Sequence, residues 1–276
     1  MKVSLIQMNT RSDRAENLAQ AKALMEAAIA ADRPDLLVLP EHFEYAGGTT
    51  ADKLAAADRV PGGAAYEMAR EVAKANRVWV HAGSLLERIE GDSRIYNTTV
   101  VFDRSGREVA RYRKIHLFDV TAPDGTPYNE SATIRPGEDI VLYDLEGLTV
   151  GCAICYDLRF GELFITLGKR GADVIVLPAA FTLQTGKDHW EVLCRARAIE
   201  TQTYFLAAAQ WGSFTGPKGD TRYTYGHSMV VDPWGHVIAR ASDGTGHVTA
   251  TIDPAQIARV RSLIPMNAHR RLGVSR

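Results

Sequence analysis

The chain has 276 residues, 46% hydrophobic and 24% charged, a balance that supports a sizeable core and excludes wholesale disorder. Its 32 basic and 33 acidic residues leave a net charge of −1 without a long basic run, which argues against nucleic acid or an anionic membrane surface as partner. The segment from Met1 to Gln20 turns polar after a few apolar residues, unlike a signal peptide or membrane span. Three cysteines, Cys152, Cys155 and Cys194, are too few for a disulfide framework, so a cytoplasmic location with free thiols is expected.

Along the chain, extended apolar runs alternate with amphipathic stretches. Val3 to Gln7 reads as a strand and Ala15 to Ala31 as a helix, with Leu18, Ala21, Met25 and Ala28 on one face. Asp35 to Leu39 reads as a buried strand that Pro40 stops. A helix near 63–75 and a strand near 78–86 follow. Asn97 to Phe102 and Glu108 to Tyr112 flank the turn-rich Asp103-Arg104-Ser105-Gly106 and predict an antiparallel hairpin. A polar loop with Pro123, Pro127 and Pro136 leads to strands at 140–144 and 148–152. The second half repeats the theme, with helices near 161–170 and 187–201 and strands at 173–177 and 204–210. Strands at 227–231, 237–241 and 247–252 close the chain. Alternation of this kind, without a linker, predicts one α/β domain over 1–276. Two sheets pack face to face with helices outside, and about 255–276 forms a C-terminal helix and tail.

Several strand ends carry reactive side chains, which is where α/β folds place their sites. Cys155 precedes Tyr156-Asp157-Leu158-Arg159, which opens a helix, so its thiolate is expected to gain from unpaired backbone N–H groups and the local dipole. Cys152 and Cys155 form a C-x-x-C pair, but residues three apart on a strand face opposite ways, which disfavours redox exchange. Cys194, inside a helix, reads as core. Glu41 leaves the buried strand beside Pro40, where desolvation is expected to raise its pKa toward neutrality and suit it to shuttle a thiol proton. Lys114 ends the second hairpin strand. A G-x-S-x-G elbow, a P-loop and an H-E-x-x-H pair are all missing from the sequence, whereas a cysteine hydrolase using His116, His189 or His227 as base stays open at this point.

Taken together and in order, Leu39-Pro40-Glu41, Tyr112-Arg113-Lys114-Ile115-His116 and Cys155-Tyr156-Asp157-Leu158-Arg159-Phe160 resemble the signatures of the nitrilase superfamily of carbon–nitrogen hydrolases. The likeness runs on through Gly171 to Pro178 and Arg195 to Gln202, covering nearly the whole chain. It implies a four-layer α-β-β-α sandwich, with Cys155 as nucleophile, Glu41 as general base, Lys114 facing the oxyanion and Glu130 as a second glutamate beside the lysine. The backbone N–H of Tyr156 would complete the oxyanion site. Neither metal nor organic cofactor is implied, and a homodimer or larger homo-oligomer is. Cys155-Tyr156-Asp157 departs from the Cys-Trp-Glu of true nitrilases, which favours an amidase over a nitrile hydrolase. Phe181 to Leu193 and Ala207 to Gln210 resemble the branch of deaminated glutathione amidase and omega-amidase, although Gly161 and Lys187 stand where most of that branch has proline. The expected substrate is a small carboxylate-bearing amide, its carboxylate held by Arg159 and by Thr185 in a substrate loop. A catalytically silent binding scaffold is the off-class alternative, which an intact Glu41, Lys114 and Cys155 disfavour.

Overall fold

The computed structural model describes residues 1–272. In chain order, β1 (Lys2–Gln7), α1 (Arg14–Asp32), β2 (Leu36–Val38), α2 (Thr50–Ala56), α3 (Ala64–Asn76), β3 (Trp79–Arg88), β4 (Ile95–Phe102) and β5 (Glu108–Arg113) form the first half. A small hairpin, β6 (Asp119–Thr121) and β7 (Pro127–Asn129), leads to β8 (Leu142–Leu145), β9 (Leu148–Cys152), α4 (Gly161–Lys169), β10 (Val174–Ala179), α5 (Leu183–Thr201) and β11 (Tyr204–Ala209). A second hairpin, β12 (Trp211–Thr215) and β13 (Thr221–Tyr225), precedes β14 (Met229–Val231), β15 (Val237–Arg240), β16 (Gly246–Thr251), α6 (Pro254–Leu263) and α7 (Met266–His269).

Two six-stranded sheets result, ordered β16-β1-β2-β3-β4-β5 and β15-β14-β11-β10-β9-β8. The central strands pair in parallel, β1 with β2 and β2 with β3 in one sheet and β9 with β10 and β10 with β11 in the other, and antiparallel strands complete both edges. The period-2 alternation of strand side chains decides the layering. Val3, Leu5, Leu36 and Val38 face the second sheet and join Val150, Val176 and Leu206 in the central core. Ile6, Leu37 and Leu39 point the other way, against Ala21 and Met25 of α1 and Tyr66 and Val72 of α3. On the far side α4 and α5 cover the second sheet through Phe164 and Trp190. Each fully buried Leu or Val contributes roughly 1.5–3 kcal/mol. Because both faces of β2 are covered, a polar side chain at Leu37 or Val38 would disrupt one core or the other. The four-layer α-β-β-α sandwich implied by the family resemblance is thus the fold of the chain.

Three expectations are corrected. The polar segments around 49–56, 119–129 and 211–225 carry α2 and the two hairpins, where periodicity gave no element. Helix α5 begins at Leu183, so Thr185 lies in its first turn and not in a loop. Gly186 permits this, since a Cβ there would meet the Tyr225 Cβ at 2.4 Å, and the bare backbone lets α5 approach β13. The C-terminal segment is two short helices, α6 and α7, and residues 273–276 of the expected tail lie outside the described residues.

Candidate active site

Glu41 sits in the turn after β2, 2% exposed. Its backbone carbonyl accepts from Gln210 Nε2 at 2.9 Å, and the next residue's N–H donates to Ser84 Oγ at 3.0 Å. β3 bulges between Ala82 and Leu85 to make room, and a Cβ on Gly83 would stand 2.0 Å from the Pro40 oxygen. The carboxylate is fixed by three donors: Lys114 Nζ at 3.0 Å and Asn97 Nδ2 at 2.9 Å on Oε1, and the Ala180 N–H at 2.9 Å on Oε2.

Lys114, directly after β5, is anchored by its N–H to Asn97 O at 2.9 Å and its carbonyl from Gly137 N at 2.8 Å. Its ammonium bridges two carboxylates, donating to Glu41 and, at 3.0 and 2.8 Å, to both oxygens of Glu130. Glu130 opens a short 3-10 turn after β7 and accepts from Phe118 N at 2.6 Å. Cys155 is the first residue of a 3-10 helix, Cys155–Arg159, with a left-handed φ of 45°. Such a conformation costs a non-glycine residue on the order of 1 kcal/mol or more and persists only where its surroundings over-determine it. Asp157 does that here: fully buried, it accepts from Ile154 N at 2.8 Å, Tyr112 Oη at 2.7 Å, His116 N at 3.0 Å and His116 Nδ1 at 2.7 Å. His116 also stacks on Phe160 at 3.8 Å.

The charges differ from the sequence expectation in two ways. Burial pushes the Glu41 carboxyl up, as anticipated. The Lys114 charge, the His42 ring and hydrogen bonds from Cys155 and Lys114 outweigh burial and hold it below the usual carboxylate range. Burial, and then the Glu41 carboxylate, push the Cys155 thiol well above its usual range, and Lys114 and the Ala180 N–H recover only part. Burial opposes the Lys114 charge too, but Glu130 and Glu41 raise its pKa well above the ordinary value. The resting site is therefore a neutral thiol beside an ionised Glu41 and a charged Lys114, and not a preformed thiolate.

These side chains open into a cavity of about 380 Å³, walled by Tyr45, Phe118, Tyr128, Phe181 and Phe214 and carrying Tyr156, Thr185, Lys53 and Arg222. Thr185 Oγ1 bonds Thr182 Oγ1 at 2.7 Å. Arg159 stands outside the lining: its guanidinium bonds His189 Nδ1 at 3.3 Å and lies 5.0 Å over the Phe181 ring. The histidine alternative fails on geometry. His116 serves Asp157, His189 serves Arg159, and His227 bonds Tyr225 O at 2.8 Å, so none of the three lines the cavity.

Sequence reasoning missed His42, whose Nε2 lies 3.8 Å from Glu41 Oε1 and whose Nδ1 is buried without a partner among the described residues. Its only signal was adjacency to Glu41. Burial keeps that ring's pKa down against the pull of Glu41 and Glu130. Donor atoms of Glu41, His42 and Glu130 lie within 4.8 Å of one another, a spacing that could hold a metal ion. The Lys114 ammonium already bridges both carboxylates, so a metal ion would have to displace it or sit against a like charge. Cys152 and Cys194 are free and fully buried. No helix among the described residues is long and apolar enough to cross a membrane.

The carbon–nitrogen hydrolase family model matches residues 2–262. The chain is 40% identical over 268 residues, 96% of either chain, to a Synechocystis sp. (strain PCC 6803 / GT-S) protein named deaminated glutathione amidase. It is 37% identical over 98% of its length, and 95% of the relative's, to the Bos taurus protein named omega-amidase NIT2. Its fold superposes with a TM-score of 0.90 and 37% identity on the crystal structure of the C. elegans NitFhit protein, covering 98% of this chain and 65% of that longer one.

Proposed function

The chain belongs to the carbon–nitrogen hydrolase family and is a hydrolase acting on amides, and from that premise we propose that it cleaves a small carboxylate-bearing amide through a thioester on Cys155. The observation that carries this reading is that Cys155, the desolvated Glu41 and Lys114 line one cavity, with Lys114 held between Glu41 and Glu130.

Glu41 accepts the thiol proton as the sulfur attacks the amide carbon, so deprotonation and attack are coupled and no free thiolate accumulates. The oxyanion meets Lys114 and the Tyr156 N–H, donors worth a few kcal/mol each in a water-poor site. Glu41 then gives its proton to the leaving nitrogen, the carbon–nitrogen bond breaks and the amine or ammonia departs. Water, deprotonated by Glu41, attacks the thioester. The tetrahedral adduct collapses to the acid, and the proton returns to sulfur. Glu130 acts through Lys114 as a positioning residue. The thiol, one carboxylate and one ammonium supply every proton and charge, so the reaction as proposed needs no cofactor.

The names of the relatives and the cationic residues of the cavity support an anionic substrate, with a deaminated-glutathione-like amide favoured over an omega-amide or an N-carbamoyl compound. Thr185 contacts it, and Arg159 supplies positive charge from behind Phe181. A panel of short amides assayed for acid product tests the reading. Turnover that is lost in Cys155→Ala and in Glu41→Gln is expected, and turnover surviving either change would overturn it.

The proposed cellular form is a cytoplasmic homo-oligomer. Val192 and Ile199 of α5, Trp234 and Ile238 around β15, and Leu263 and Ile264 at the end of α6 are all exposed apolar side chains that a partner subunit would cover. Light scattering that gives a monomer at micromolar concentration would refute this.

A further inference from the structure

His42 follows the proposed base directly and lines the same cavity, yet the reaction as written does not use it. Its backbone has a left-handed φ of 56°, uncommon for a residue with a side chain, and is held there from both sides: its N–H donates to Ser84 Oγ at 3.0 Å and its carbonyl accepts from Tyr45 N at 3.2 Å. The turn therefore limits where the ring can lie. Charges from four segments face that ring. Glu41 Oε1 is 3.8 Å from Nε2, Glu130 faces it from the 3-10 turn after β7, Lys114 from the end of β5 and Lys53 from α2. Asn97 of β4 brings Nδ2 to 3.5 Å from His42 Nε2, while its shorter bond, 2.9 Å, goes to Glu41.

The separation of 3.8 Å is beyond a hydrogen bond but well inside the range over which a charge on one group alters the proton affinity of the other. Lys114, Asn97 and the Ala180 N–H all donate to the Glu41 carboxylate and so favour its ionised form. To act as base, Glu41 has to take up a proton in spite of them. An imidazolium beside it would add a second cation and make that step harder still, whereas an uncharged ring adds none. Burial keeps the ring's pKa down against the pull of Glu41 and Glu130, and Lys114 and Lys53 act in the same direction as burial.

Building on the amidase reading, we propose that His42 is a positioning residue that acts through Glu41: its uncharged ring keeps a second cation away from the carboxylate and so leaves Glu41 able to accept the thiol proton. No proton passes through His42 in the reaction. Turnover is then lost on the acid side when His42 takes up a proton, well before Glu41 itself is protonated in the resting site. The acid limb of the activity thus belongs to a residue that touches neither the sulfur nor the amide carbon.

The test follows kcat/KM from pH 8 to pH 5 in wild type, His42→Asn and His42→Lys, on an amide that the wild type turns over. Asn tolerates the left-handed backbone and does not ionise in this range, and Lys places a permanent cation at the position. Below the titration of the ring the wild type is expected to lose about tenfold per pH unit, whereas His42→Asn should keep about half or more of its own pH 8 value at pH 5. His42→Lys should fall on the order of tenfold or more below His42→Asn at every pH. An acid limb unchanged in His42→Asn, or a His42→Lys as active as His42→Asn, would overturn the proposal. A second measurement needs no turnover: the imidazole resonance of His42, assigned by its loss in His42→Asn, is titrated by NMR in Cys155→Ala with and without Glu41→Gln. Because coupling between two sites is mutual, removing the Glu41 charge should lower the ring's pKa by about one unit or more. A ring that titrates alike in both proteins, or does not titrate above pH 4.5, rejects the proposal. If the wild type turns over no amide, the amidase reading falls, and the NMR titration still decides whether His42 and Glu41 are coupled.

Discussion

Replacing Glu130 by Gln keeps the shape of the side chain and removes its charge. Gln can still accept from Phe118 N and offer one oxygen to Lys114, but two bonds from the ammonium to a carboxylate, at 3.0 and 2.8 Å, become at best one bond to an uncharged oxygen. A hydrogen bond to a charged group is worth about 1.5–3 kcal/mol net, so losing one of the two costs the ammonium on the order of 2 kcal/mol of restraint. If that restraint is what holds Lys114 at the oxyanion, kcat falls about thirtyfold, at roughly 1.4 kcal/mol per decade. KM stays within about twofold under the same reasoning. Steady-state kinetics on any amide that the wild type turns over reads this, with thermal unfolding measured alongside to exclude a global loss. Glu130→Gln at wild-type kcat would show that Glu41 alone positions Lys114. Glu130→Gln as inactive as Cys155→Ala would mean that Glu130 touches the reacting atoms itself, and the positioning argument would be wrong.

Alkylation with iodoacetamide should label Cys155 first, because it opens into the cavity whereas Cys152 and Cys194 are fully buried. Because Glu41 takes the thiol proton during attack, Glu41→Gln should slow that labelling even though it also removes a charge that opposes the thiolate, and peptide mapping that finds equal or faster rates would refute Glu41 as the thiol's base. The folded pKa of Glu41 is depressed, so its ionisation contributes stability that is fully present above the unfolded value of 4.5 and is lost as pH falls toward about 2. Urea midpoints of wild type and Glu41→Gln should therefore converge as pH drops from 5 to 3, and a gap that widens there would contradict the sign.

How much of this was legible beforehand depends on the range of the forces involved. Apolar periodicity is local, so it revealed the buried strands through Val3, Leu37 and Val176 and the helices α1 and α3 to within a few residues. The short reactive segments around Glu41, Lys114 and Cys155 were readable through their joint resemblance, in order, to the signatures of the nitrilase superfamily, since strand-end position alone singles out none of them. Periodicity failed where an element is held by capping and by distant partners. Helix α2 rests on a Thr49–Asp52 box and on Thr133, and the β12–β13 hairpin on Gly48. Lys53 and Arg222, which line the cavity from these two elements, were therefore not legible in the sequence.

Protonation states were the other thing the chain order could not give. Desolvation was inferred correctly for Glu41, yet its effect was outweighed by Lys114, 73 residues away, and the thiolate expected at Cys155 was suppressed by burial and by the Glu41 carboxylate. Amino-acid identity determines which groups can carry charge. Only the folded arrangement decides which of them do, because in a low-dielectric interior the energy of each charge is set by neighbours that the sequence leaves far apart.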